Sequence, residues 1–282
     1  MGKPSAQKTQ SEQHDSSSAA LSVVVWGPNG SPGKSALAIN LSDALAHQGK
    51  RVLLVDTDLV SPSLAIQLGV EDQASGISAA CRLAREASLD PQQLQRISVQ
   101  IRGGSTGFSL LPGISGASRW PEITPSAIEA IVRVSATNFD VIIFDTASSL
   151  EPALRTDAAA LSRNELTRHL VASADRVLAV AACDPVSIQR MLRQIVDVQK
   201  FRAGLPLSLV VNRVRETTFG ANPEGQLAKV FSQLAKIEPV HFLYEDCAGL
   251  DSALRHGLPV RLAKRRSHFV KSVNLVAAAL QG

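Results

Sequence analysis

The stretch VVVWGPNGSPGKSALAINL, Val23 to Leu41, decides how the rest of the chain is interpreted. Its first four residues predict a buried strand, and the apolar spacing after Gly33 predicts a helix. Between them lies a glycine-rich turn, NGSPGKS, that ends in Gly33, Lys34 and Ser35. A helix that begins here directs free backbone N–H groups and the positive end of its dipole toward an anion. The stretch therefore predicts a phosphate-binding loop.

Individual residues of this loop have expected roles. Lys34 would reach the β- and γ-phosphates of a nucleotide, and the Ser35 hydroxyl would be a ligand of Mg²⁺. The loop departs from the pattern G-x-x-x-x-G-K-[ST], because Pro28 occupies the first glycine position and Pro32 has no N–H to donate. The residues expected to hold the nucleotide are Asn29, Gly30, Ser31, Pro32, Gly33, Lys34, Ser35 and Ala36. The alternative for a Gly-Lys-Ser triplet is an ordinary strand–helix turn.

Strand and helix patterns alternate along the chain after a polar tail. Apolar, β-branched runs predict buried parallel strands at 22–26, 52–55, 141–144, 177–182 and 207–212. Helical patterns lie at 34–48, 76–87, 125–135, 163–172, 187–201, 223–235 and 264–280. This order predicts an α/β fold with a doubly wound, mostly parallel sheet and helices on both faces. Residues 97–113 predict a short antiparallel pair around a Gly/Ser turn. We expect a disordered tail over 1–20 and one P-loop domain over 21–282.

Three acidic residues follow predicted strands. Asp56 and Asp58 end the run RVLLVDTD, and Asp145 ends FDVIIFD. Ligands bind outside the carboxyl ends of strands in such sheets, so these carboxylates are expected to face the phosphate loop. Asp145 is expected to be a metal ligand, and Asp56 is expected to lie in the outer shell of the metal. Asp58 is expected to be a catalytic residue that orients or polarises the attacking water. The alternative for any one of them is a helix N-cap.

The base of the nucleotide is expected at the end of LVVNRVR. GTPases have an aspartate at the position of Arg215, where it pairs with guanine, so this sequence favours adenine. Asn212 and Arg213 are the expected contacts of the base. Asn212 has the alternative of capping the strand.

Composition limits the classes of protein to consider. The chain has 282 residues, 45% of them hydrophobic and 4% aromatic, with a net charge of +4 that is weak evidence for a polyanion partner. Its three cysteines form no CxxC pair, which argues against a disulfide scaffold and a local zinc or iron–sulfur site. No apolar run has membrane-spanning length and no apolar signal core begins the chain, so we expect a cytoplasmic protein.

Together, NGSPGKS, VDTD, IIFDTA, ADRVLAVAACDPVSI and VVNR resemble the MinD/ParA family of deviant Walker A ATPases. The segments LLPGISGASRWPEITP and LSRNELTRHLVASADRVLAVAACDPVSIQR look most like its CpaE/TadZ-type branch. The resemblance implies bound ATP and Mg²⁺ and a nucleotide-dependent homodimer. It also implies a protein partner in a pilus or secretion, division or chromosome-partitioning system.

The resemblance also identifies an unusual position in the loop. The family has a lysine at the position of Asn29, and that lysine crosses the dimer interface to the partner's phosphate. Asparagine can donate a hydrogen bond but cannot neutralise charge, so weak ATP hydrolysis is expected. The alternative is a non-hydrolysing pseudo-ATPase scaffold that recruits partners.

Basic residues are concentrated near the end of the sequence. They are Arg255, Arg261, Lys264, Arg265, Arg266 and Lys271. Nonspecific DNA binding needs only phosphate neutralisation, so this cluster allows a DNA-partitioning ATPase. The alternative is a solvated helix face. The final helix is expected to pack on the fold, and we expect no autonomous membrane anchor.

Overall fold

The computed structural model describes residues 19–70, 74–103, 106–152, 163–202, 204–215, 220, 222–264 and 266–281. Residues 1–18 of the predicted disordered tail lie outside the described residues. Ala20, within the predicted tail, is buried beside the first strand.

The described residues form one sheet of eight strands. The strands are β1 Leu21–Trp26, β2 Val52–Thr57, β3 Val99–Gly103, β4 Thr106–Leu111, β5 Val141–Thr146, β6 Arg176–Ala182, β7 Leu207–Val214 and β8 Val240–Tyr244. Their order is β3-β4-β2-β5-β1-β6-β7-β8. Within the described part of the chain only β3 and β4 pair antiparallel, as predicted for 97–113, and the other neighbours are parallel.

Helices connect the strands and cover the sheet. They are α1 Lys34–His47, α2 Leu64–Gln67, α3 Gly76–Arg85, α4 Pro91–Ile97, α5 Pro125–Ser135, α6 Arg163–Ser173, α7 Pro185–Phe201, α8 Pro223–Ala235, α9 Cys247–His256, α10 Val260–Ala263 and α11 His268–Ala279, with a 3₁₀ helix at Ala117–Glu122. None of these helices, within the described residues, is long and apolar enough to cross a bilayer.

Strand β1 shows how the two faces of the sheet are filled. Successive side chains of a strand point to opposite faces. Val24 and Trp26 belong to one core, which is completed by buried residues of α3 to α8. Val23 and Val25 belong to a second core, beneath α1 and α11. All four are fully buried, because helices cover both faces, and this confirms the predicted doubly wound α/β fold.

The fold differs from the sequence-based prediction in several places. The helix predicted over 264–280 begins only at His268, because Ser267 caps α11 and Lys264 turns away to bond Asp246. The prediction also lacked α2, α4, β8, α9, α10 and the 3₁₀ helix. Among the described strands, β8 is a short edge strand paired with β7 alone, so it does not have the continuous apolar run of the central strands.

Candidate functional site

The predicted phosphate loop lies at the carboxyl end of β1, a central strand between β5 and β6. The register places Asp145 beside Val25, and it pairs Asp56 of β2 with Asp145 of β5. The end of β1 therefore lies beside Asp145, and Asp56 lies one strand further away. Hydroxyl groups connect these strand ends: Thr57 Oγ1 donates to the Asp145 carbonyl at 2.7 Å, and Thr146 Oγ1 donates to the Val25 carbonyl at 3.0 Å.

The loop encloses one side of a cleft of about 700 Å³. All eight loop residues from Asn29 to Ala36 line it. The opposite wall is formed by Asp58, Val60, Ser61, Ser63, Gln67, Ala147, Ser148, Ser149 and Arg213. Sequence reasoning missed the serines, although Ser148 and Ser149 follow Asp145 so closely that their position could have indicated them.

The backbone of the loop requires glycine at its last turn. Gly33 has φ +98°, in the left-handed region, and a Cβ there would lie 2.2 Å from Asn212 Nδ2. Helix α1 begins at the next residue, and no side chain caps its N-terminus. Its first N–H groups are therefore available to an anion in the cleft.

Three side chains from neighbouring elements hold the carbonyl groups of the loop. Asn212 Nδ2 donates to the Pro32 carbonyl at 2.8 Å, and Arg213 Nη2 donates to the Ser31 carbonyl at 3.0 Å. Arg190 Nη1, from α7, donates to the Asn29 carbonyl at 3.1 Å. In a trans peptide the carbonyl and the next N–H point in opposite directions. The amides of residues 30 and 33 therefore point away from the side chains that hold the loop.

Asn212 lies in a different environment from the one expected of a base contact. Its side chain is buried, and its oxygen accepts a hydrogen bond from the Arg213 amide at 2.9 Å. With its nitrogen bound to Pro32, Asn212 connects β7 to the phosphate loop and does not line the cleft. The predicted contact with adenine stays a prediction. Arg213 does line the cleft.

Lys34 is the buried cation of the site. Its Nζ donates to Ser148 Oγ at 2.6 Å, so β5 and the loop after it hold the end of the lysine. Burial lowers the pKa of Lys34, while the charges of Asp145 and Asp58 act to raise it. A buried ammonium group beside a polar cleft is suited to binding a phosphate.

Asp145 is the acid best suited to a metal. It is buried, and neither carboxylate oxygen has a hydrogen-bond partner among the described residues. Burial raises the pKa of Asp145, and the nearby Ser35 hydroxyl and Lys34 charge lower it. A buried carboxylate without partners is costly unless a cation or donor compensates it. Mg²⁺ is such a cation, since it prefers oxygen ligands.

The other oxygen ligands of a metal would come from phosphate, water and a hydroxyl group, since the carboxylates alone are too few. The described residues contain no cluster of three His, Cys, Asp or Glu side chains that would hold a metal alone. Mg²⁺ is commonly held by one or two carboxylates, with substrate phosphates and water completing its shell. Ser35 Oγ, which lies 3.2 Å from Ser63 Oγ, adds a hydroxyl oxygen to this donor set. The residues present therefore fit Mg²⁺ bound together with a phosphate.

Asp56 is held by backbone amides. One carboxylate oxygen accepts hydrogen bonds from the Ser63 and Leu64 amides, both at 3.1 Å, and the other accepts one from the Asp58 amide at 3.2 Å. Asp56 thus fixes the turn after β2 and the start of α2, and its expected outer position around the metal stays a prediction. Burial raises the pKa of Asp56, and the neighbouring Asp145 raises it further.

Asp58 faces the cleft, as predicted for the catalytic residue. Its Oδ1 accepts hydrogen bonds from the Val60 and Ser61 amides, both at 2.9 Å. These bonds fix the orientation of the carboxylate. No bond to Oδ2 occurs among the described residues, so this oxygen is free to accept a hydrogen bond from water.

The C-terminal basic cluster is smaller than the sequence suggests. Arg261 forms a two-point ion pair with buried Asp43, at 2.7 and 2.8 Å, and Lys264 bonds Asp246 at 2.7 Å. Arg265 lies outside the described residues. The exposed members are Arg255, Arg266 and Lys271. The predicted DNA-binding surface therefore loses two of its six charges to structural ion pairs.

The fold and the cleft together define a class of protein. A glycine-rich loop between β1 and α1 of a doubly wound sheet, with Lys34 and Ser35 at the start of the helix, is a P-loop nucleotide-binding arrangement. The family model described as the CobQ/CobB/MinD/ParA nucleotide binding domain matches residues 23–253. The chain belongs to this family.

Individual relatives agree with this placement. The chain is 24% identical over 214 residues to the antiactivator FleN of Pseudomonas aeruginosa, a match that covers 74% of this chain and 67% of FleN. The ParA family ATPase of Chlorobium tepidum has a similar structure, with a TM-score of 0.76 at 18% identity, over 92% of this chain and 98% of that one. Pyrococcus horikoshii MinD complexed with Mg-ADP gives a TM-score of 0.68 at 20% identity, over 93% and 95%. At these identities the likeness to the two solved structures shows a shared fold.

Proposed function

We propose that this protein binds Mg-ATP in the cleft beside the phosphate loop and hydrolyses it slowly. The observation that carries the proposal is the position of Lys34: its buried ammonium group lies at the start of α1, in the same cleft as Asp58. A nucleotide triphosphate has the negative charge that this arrangement would accept. That a solved relative of the same fold is described as a complex with Mg-ADP supports the choice of ligand.

Each residue has a defined part in this proposal. Lys34 and the free N–H groups at the start of α1 bind the phosphates. Ser35 and Asp145 hold Mg²⁺, which offsets phosphate charge when it is bound. Asp58 accepts a hydrogen bond from the attacking water through Oδ2 and orients it toward the terminal phosphate. The adenine base is expected near Arg213, which lines the cleft, and near Asn212, which binds the Pro32 carbonyl of the loop.

Nucleotide-dependent dimerisation is the proposed output of the site. ATP bound between two copies would form the homodimer, and hydrolysis would release it. The dimer would recruit or position a protein partner of a pilus or secretion, division or partitioning system in the cytoplasm, with the CpaE/TadZ-type branch favoured by the resemblances described above. The name antiactivator for the relative FleN is consistent with a regulatory role. The proposed ATPase domain comprises residues 21–282.

Two measurements test the proposal. Calorimetry with Mg-ATP should show binding to the wild-type protein and an affinity about 10- to 100-fold weaker, or lower still, for Lys34→Ala. Release of inorganic phosphate at saturating Mg-ATP should be slow but above that of the same variant. A wild-type protein that does not bind ATP would contradict the proposed function.

The second candidate function is a pseudo-ATPase scaffold that binds ATP without turnover. It is favoured by Asn29, whose neutral side chain lies exposed at the tip of the loop. ATP-dependent dimerisation without phosphate release would support the scaffold over the ATPase. A DNA-partitioning ATPase is less favoured, because Arg261 and Lys264 are already paired with acids. Salt-sensitive, sequence-independent DNA binding would support it instead.

A further inference from the structure

Arg190 contacts the phosphate loop from a part of the chain that contains no nucleotide-binding motif. It lies in the second turn of α7, which follows β6, and β6 pairs directly with β1. This topology brings the helix beside the loop. Arg190 Nη1 donates to the Asn29 carbonyl at 3.1 Å. The contact joins residues that are 161 positions apart in sequence.

The loop leaves room for this guanidinium group. Gly30 has φ +115°, and a Cβ built there would lie 2.9 Å from Arg190 Nη1. A side chain at position 30 would require the flexible guanidinium end of Arg190 to shift. The positive φ is the stronger reason for glycine at this position.

Arg190 also brings an uncompensated positive charge to the tip of the loop. Within the described part of the chain, no carboxylate forms an ion pair with it. Asp184, the nearest acid along α7, uses Oδ1 to cap the helix through the Val186 and Ser187 amides. Asp58, which lines the cleft, follows β2, and Asp145 lies near the end of β5; both strands are on the opposite side of β1 from β6.

We propose that Arg190 is a positioning residue of the nucleotide site. It holds the tip of the loop and supplies, within the same subunit, a positive charge beside Asn29, where the loop itself has none. Its effect is on affinity for the polyphosphate of the nucleotide. This inference rests on the proposed function, because the charge has a role only if the loop binds phosphate.

The test compares Mg-ATP affinity in three variants by calorimetry. Arg190→Gln retains a hydrogen-bond donor but removes the charge, and we expect it to weaken binding about 10- to 100-fold. Arg190→Lys retains the charge and should stay within about 3-fold of wild type. Arg193→Gln is the matched control, since Arg193 is an exposed arginine one turn further along α7, and it should leave affinity unchanged.

The salt dependence of the affinity for Mg-ATP distinguishes an effect of the Arg190 charge from an effect on the geometry of the loop. Because Arg190 is exposed, its charge is screened by salt, so the difference between wild type and Arg190→Gln should narrow as ionic strength rises. Thermal unfolding should be the same for all these proteins. The inference is wrong if Arg190→Lys loses as much affinity as Arg190→Gln. It is also wrong if the difference in ATP affinity between wild type and Arg190→Gln does not change with salt, because the charge of Arg190 then does not determine the affinity.

Two results distinguish this inference from the proposed function. ATP binding that is lost in Lys34→Ala and unchanged in Arg190→Gln would overturn this inference alone. A wild-type protein without affinity for ATP would overturn both.

Discussion

Lys34 Nζ lies 2.6 Å from Ser148 Oγ, so the cation of the phosphate loop is held by the segment that follows Asp145. This contact connects the two halves of the cleft, the loop after β1 and the turn after β5. Ser148 satisfies one donor of the buried ammonium group. Ligand binding would bring phosphate oxygens to the remaining donors.

Lys34→Ala should eliminate most of the affinity for Mg-ATP. The lysine provides a charge-assisted contact that contributes about 1.5–3 kcal/mol, which corresponds to an affinity about 10- to 100-fold weaker without it. Titration calorimetry measures the effect, and Lys271→Ala, at an exposed position on α11, is the control. Equal affinities for wild type and Lys34→Ala would contradict the phosphate-loop assignment.

Asp145→Asn should remove the dependence of nucleotide binding on Mg²⁺. The substitution keeps the size of the side chain but removes the negative charge that favours the metal. We expect ATP affinity measured with and without Mg²⁺ to differ for wild type and to be similar for the variant. Asp251→Asn, at an exposed position on α9, should behave as wild type. A variant with an unaltered metal titration would show that Asp145 is not a metal ligand.

Asp58→Ala should retain ATP binding and lose turnover. Its proposed role is to orient water, and a residue that acts on the attacking water contributes to the rate more than to affinity. A single-turnover assay of phosphate release, with binding measured separately, distinguishes the two effects. Wild-type hydrolysis by Asp58→Ala would mean that another group orients the water.

Asp43→Ala should destabilise the protein without a direct effect on nucleotide binding. Asp43 is buried in α1 and pairs with Arg261 of α10, so its removal leaves a largely buried guanidinium without its partner. Loss of one member of a buried pair costs about 3–5 kcal/mol. Urea unfolding measures this, with Asp251→Ala expected to change stability by less than about 0.5 kcal/mol. A small loss for Asp43→Ala would return Arg261 to the candidates for DNA contact.

The sequence was most informative where a local pattern determines the structure. Sequence patterns located the loop from Asn29 to Ala36, which lines the cleft, and the strand ends that carry Asp56 and Asp145, because strand, turn and helix signals there are adjacent in sequence. Asp56 and Asp58 carry the same local signal, yet only Asp58 faces the cleft. Their difference depends on the path of the chain after β2, where Asp56 binds the amides of residues 63 and 64.

The residues that hold the loop could not be predicted in the same way. Arg190 and Asn212 reach the loop from 161 and 180 positions away, through strand pairings that a sequence pattern does not specify. The starts of α9 and α11 also involve tertiary contacts, among them the bond between Lys264 and Asp246, the N-cap of α9. Long-range contacts of this kind are seen only in the structure.

Asn29→Lys should raise the rate of ATP hydrolysis and strengthen ATP-dependent dimerisation. Asn29 is exposed at the tip of the loop, so a longer side chain there can extend from one subunit toward another. A positive charge near the transferring phosphoryl group, in a site closed to water, can raise the rate of phosphoryl transfer several-fold or more. Because this charge would act across an interface, its effect should grow with protein concentration, unlike that of Arg190 within the subunit.

The ATPase rate measured against protein concentration, together with light scattering in ATP, tests both changes. Asn29→Gln is the control, because it extends the side chain without charge. Fast turnover and tight dimerisation of the wild type, with no gain from Asn29→Lys, would show that another residue already supplies the charge across the interface.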